Sequence, residues 1–108
     1  MTPDIVKVVV EARLLQTFRQ YPRAALHLSS SCRDRINNAI SRKLLAPEPL
    51  RAFIQPTADT WTLQARIAFN DIFKFYQDSF LPDQDEHNVA LLQAVSAGIL
   101  AAGKIQVS

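Results

Sequence analysis

Glycine is nearly missing from this chain: Gly98 and Gly103 are the only two among 108 residues. That leaves too few turn formers for hairpins, and both stand in the wrong setting for a Walker-type loop or a dinucleotide fingerprint. Cysteine occurs once, at Cys32, which excludes an intramolecular disulfide and a cysteine-cluster zinc site. A lone cysteine suits a reducing compartment, and the cytoplasm is the expected location. Histidine is limited to His27 and His87, without the paired ligands that a helix-borne metal site needs. His87 has Asp83 four residues earlier, but that carboxylate reads as a helix cap. Ser29 to Ser31 beside His27 lack the Gly-x-Ser-x-Gly elbow of a hydrolase. No long hydrophobic run is present either: Val89 to Gly103 is fifteen residues and holds Gln93 and Ser96, short of the ~20 that span a bilayer. The N-terminal apolar run is broken by Lys7, Glu11 and Arg13, unlike a signal peptide, so the mature chain is expected to start near Met1. Neither an enzyme nor a membrane protein is expected, and no cofactor or metal.

What is present is helix-forming residues and polarised charge. Hydrophobic residues make up 48% of the chain, enough for one core, and the whole of 1–108 reads as a single domain. The expected fold is all-α: a compact bundle of about four helices with one additional short helical turn. Residues 1–53 carry nine Lys or Arg against four Asp or Glu, and residues 54–108 carry three against six, inside a net charge of +2. Such a basic half attracts an anionic partner.

The first helix starts with Thr2 as N-cap and Pro3 at its first position, and ends near Tyr21 before Pro22. Its apolar residues Ile5, Val8, Val9, Ala12, Leu15 and Phe18 fall at helical spacing. The β-branched run Ile5 to Val10 also fits a strand, with helix the favoured reading. After a short segment from Pro22 to Leu28, Ser29 to Ser31 offer N-caps for a second main helix, with Ser31 and Asp34 resembling a capping box. That helix buries Cys32, Ile36, Ile40 and Leu44 and is stopped by Pro47 and Pro49. A brief turn carrying Leu50, Phe53 and Ile54 follows, closed by Pro56. The strongest pattern runs from Thr57 to Phe80, where Trp61, Ala65, Phe69, Ile72, Phe73 and Tyr76 form a wide stripe expected at the centre of the core. Lys74 is placed to meet Asp71 or Asp78, and Phe75 leaves the stripe as a candidate partner contact. The last helix is expected to begin with Asp83 as N-cap and Glu86 completing the box, and to end at Gly103. Its ridge of Ala90, Ala94 and Gly98 is expected to pack on the aromatic helix, or else to build a homo-oligomer.

These features point to a small non-enzymatic protein acting through protein–protein contact, as an adaptor, inhibitor or assembly factor. The expected contact is a basic, Arg-rich surface meeting an acidic protein, since Arg outnumbers Lys eight to four and suits bidentate carboxylate contacts. In composition the chain is similar to small regulators of phages and mobile elements. The alternative is nucleic acid. Residues 26–36, followed by Ala39, Ile40, Leu44 and Leu45, resemble the turn and recognition helix of a helix-turn-helix module, although the turn lacks glycine. The residues assigned to bind either partner are Arg19, Arg23, Ser30, Arg33, Arg35, Asn37, Arg42, Lys43 and Arg51. Cys32, beside Arg33 and Arg35, has the setting of a reactive thiol, but its place in the apolar repeat favours a buried structural role.

Overall fold

The computed structural model describes residues 2–55 and 60–107 and is helical throughout, with no strand among them. The elements are α1 (Pro3–Gln20), α2 (Ala24–Ser31), α3 (Arg33–Ser41), α4 (Pro47–Ile54), α5 (Leu63–Ser79) and α6 (Asp85–Val107). Pro56 and Thr57, the expected close of one element and start of the next, lie outside the described residues.

At the start of α1 the Thr2 hydroxyl accepts from the Ile5 amide, as its cap role requires. The apolar set named from spacing is divided in α1, with Phe18 alone of its large members buried. Val6, Val10, Leu14 and Phe18 face the core at i, i+4 spacing, while Ile5, Val8, Val9 and Leu15 face solvent. Long-range polar contacts mark the choice. Arg13 Nη2 donates to Asp71 Oδ1 at 2.8 Å and Thr17 Oγ1 donates to Asp71 Oδ2 at 2.6 Å, so this carboxylate of α5 latches the inner side of α1. Asp71 therefore serves α1 rather than Lys74.

The serine triplet lies inside α2 instead of capping a later helix. Ser29 donates to the Ala25 carbonyl, and both Ser30 and Ser31 to that of His27. Such back-bonding bends helices. The bend falls at Cys32, where the helical ladder nonetheless runs through: the Cys32 amide donates to Leu28 O and the Ile36 amide to Cys32 O, both at 2.8 Å. Thus α2 and α3 form one bent helix. It ends at Ser41, and Lys43 just beyond has a φ of 58° that lets the Leu44 amide reach the Ala39 carbonyl and close the last turn.

Pro47 and Pro49 do not merely stop the preceding helix. They occupy the first turn of α4, where a missing N–H costs no intrahelical bond. The aromatic stripe of α5 packs as expected, with Trp61 edge-on to Phe69 at 5.2 Å and Phe69 stacked on Phe73 at 6.1 Å, but the helix begins at Leu63 under a Thr62 cap. The Tyr76 hydroxyl donates to the Leu45 carbonyl, tying α5 to the chain that follows α3.

Asp83 is not the cap of α6. Its φ of 63° and the Gln84 amide bonding to Leu81 O place it at the third position of a turn. The buried Asn88 side chain holds both the amide and the carbonyl of Leu81. Neither does α6 end at Gly103. It continues to Val107, and Gly103 gives close passage across α2, since a β-carbon there would overlap Ser29. Gly98 does the same against Leu14 of α1. The centre of the bundle is accordingly α6, packed against α1, α2 and α3, while α5 closes over α1, α2 and α4. The small-residue ridge lies against α1 and not against α5, so it is occupied within the chain.

Candidate interaction site

The residues expected to form one basic surface are divided among several places. Helical rotation of about 100° per residue puts Arg33 and Arg35 on opposite edges of α3. Arg33 pairs with Asp34 at 3.1 Å, and Arg35 donates to the Phe53 carbonyl at 3.1 Å. Arg42, seven residues beyond Arg35, shares its edge and stands 5.3 Å from the Phe53 ring centroid. Arg51 lies over the Phe73 ring at 4.9 Å and bonds Asn70 at 2.9 Å. Ser30 is engaged with its own helix. Asn37 is exposed on α3, as is Lys43 beyond its end; Arg19 and Arg23 are exposed at the far end of α1 and in the turn after it. Arg35 and Arg42 are brought together around Phe53, and the set as a whole is not. The helix-turn-helix expectation also fails at its turn, because residues 26–31 are helical and lead into α3 through Cys32 alone.

Cys32 is buried, and burial pushes its thiol up to about 12, against the lowering effect of Arg35. It packs in the core. A void of about 30 Å³ remains beside it, among Ile36, Phe69, Phe73 and Val95, which is water-sized and too small for a ligand. Phe75, expected to face a partner, is half-buried and lies 6.0 Å from the Arg13 guanidinium. Among the described residues no group of three or more His, Cys, Asp or Glu side chains could hold a metal ion. No described helix is long and apolar enough to cross a membrane.

The outstanding surface feature is the outside of α1. Ile5, Val8, Val9 and Leu15 are 51%, 65%, 46% and 45% exposed. With the exposed Ala12 they form one continuous stripe on the side turned away from α6. Ile5, Val8, Ala12 and Leu15 alternate in steps of three and four, the spacing of a helix-pairing seam. At its edge, Val9 also lines a groove of about 250 Å³ with Val10, Phe75, Leu81 and Leu91. Sequence reasoning named these residues as one helically spaced apolar set with Phe18, which the fold buries. The signal that separates the two faces is Arg13 and Thr17, polar residues one turn apart that bond to α5 and so mark the inward side.

No family model, curated protein or solved structure matches this chain.

Proposed function

We propose that this chain is a non-enzymatic protein-interaction module whose contact surface is the outer face of α1. One observation carries the reading: four large apolar side chains on a single helix face are 45–65% exposed, although the same helix already buries a complete apolar face. Isolated exposed apolar residues are ordinary, whereas a contiguous patch marks a contact surface. An amphipathic helix needs one such stripe to fold, and the second serves association. Photo-crosslinking from a reactive amino acid at position 8, with position 41 on the polar side of α3 as control, tests it. Adducts to another chain are expected from position 8 alone. Their absence, or equal yield from both positions, would contradict it.

A second reading keeps the acidic protein partner and places it at Arg42, exposed beside Phe53, and the neighbouring exposed Lys43. Nucleic acid bound at the same corner would declare itself by affinity falling steeply with salt.

A further inference from the structure

The charges bordering the outer face of α1 change sign along it. Asp4 stands in its first turn and Arg19 in its last, with Arg23 just beyond. Glu11, in between, is engaged by Lys7 of the same helix at 3.9 Å. An acidic partner would need a stripe bordered by positive charge throughout, and a basic partner the opposite. A stripe acidic at its start and basic at its end is complementary to itself turned end for end.

We infer that the occupant of this face is a second copy of the chain, its α1 laid antiparallel on the first about a two-fold axis. The inference rests on the outer face of α1 being a contact surface, and it names what covers it. The register that seats Ile5 against the partner's Leu15 also sets Val8 against the partner's Ala12, so each larger side chain on one helix meets a seam position on the other. Symmetry repeats both contacts. The small side chain of Ala12 lets the helices approach closely at that layer. Side chains on a helix lean toward its N-terminus. The partner's Arg19, one turn past the seam, therefore leans toward Asp4, and the symmetric pair forms at the other end. Parallel pairing would instead bring Asp4 to the partner's Asp4 and Arg19 to the partner's Arg19.

The size of the face fixes the kind of dimer. Eighteen residues of helix span ~27 Å, and one helix face on each copy belongs with interfaces below ~1,200 Å² in total, which are weak and transient. The dimer is thus concentration-dependent rather than obligate. The geometry of the monomer core does not depend on it, because the inner face of α1 is filled by α6 and α5.

Sedimentation velocity over a concentration series reads this directly, with circular dichroism confirming that each variant is folded. The wild type is expected to show a monomer–dimer equilibrium, and Val8→Glu to remain monomeric. Asp4→Arg and Arg19→Asp each replace two attractive pairs by two repulsive ones and weaken the dimer about tenfold. The double variant Asp4→Arg/Arg19→Asp recovers the wild-type equilibrium, since the exchanged charges again meet across the two-fold. Three results overturn the inference: a wild type monomeric at every concentration, a dimer untouched by Val8→Glu, or a double variant no tighter than the single ones. If the wild type is monomeric while position 8 still crosslinks to a different protein, self-pairing is wrong and the interaction surface stands.

Discussion

Cys32 and Tyr76 show what burial does to an ionisable side chain in this core. The thiol moves from 9.0 to about 12 and the phenol from 10.0 to about 12, both through desolvation. With folded values above the unfolded ones, both groups stabilise the native state fully below pH 9. The unfolded chain then loses its protons first, and stability falls as pH rises from 9 toward 12, by ~1 kcal/mol per pH unit for each group titrating. Denaturant unfolding at a series of pH values should show this decline, and Cys32→Ala should move its onset from about 9 to about 10, where Tyr76 takes over. A decline that begins at the same pH in the variant would contradict the assignment. Gly103 belongs to the same scale. Its value lies in the missing β-carbon against Ser29, a packing reason that no local turn signal conveys.

At the scale of the element, α1 is the instructive case. Leu14 and Leu15 are neighbours in sequence and opposites in role, one buried and one half-exposed. Leu14→Ala should cost ~2–5 kcal/mol of stability, and Leu15→Ala should stay within ~0.5 kcal/mol of the wild type, both measured by denaturant unfolding at a concentration where the chain is monomeric. Equal losses, or a larger one at Leu15, would contradict this assignment of faces. The stripe of α5 was legible because its other side is mostly polar, Leu63 and Ile67 excepted, leaving one solution for the periodicity. In α1 Ile5, Val6, Val8, Val9 and Val10, together with Leu14, Leu15 and Phe18, cover every direction, so spacing finds two stripes and cannot choose between them. The choice depends on Asp71, 58 residues from Arg13 and 54 from Thr17. Prolines misled in a related way. Pro47 and Pro49 read as terminators, yet proline suits a first helical turn as well as a helix stop. The serines misled because their hydroxyls bond equally to a free amide at a helix start or to a carbonyl one turn back.

For the whole molecule, the two long helices α1 and α6 run parallel: Val6 lies beside Glu86 and His87 around one groove, and Leu14 meets Gly98. Their acidic first turns, Asp4 with Asp85 and Glu86, thus share one end of the bundle, while Arg19 and Lys104 stand in last turns toward the other. This polarity cuts across the charge asymmetry between the two halves of the sequence, and carboxylates at helix starts with cations at helix ends favour the helix dipoles. The fold class was legible from composition because helix formers are abundant and turn formers scarce. The contact surface was not, because charge along a chain says nothing of which side chains the fold consumes: Arg13, Arg33, Arg35 and Arg51 are all engaged within the monomer. The most direct measurement is a map of backbone amide chemical shifts at low and high protein concentration. Self-pairing through the outer face of α1 predicts shifts concentrated at Ile5, Val8, Val9, Ala12 and Leu15, with Arg33 to Lys43 unchanged; shifts concentrated at Arg42 and Lys43, or none along α1, would contradict it.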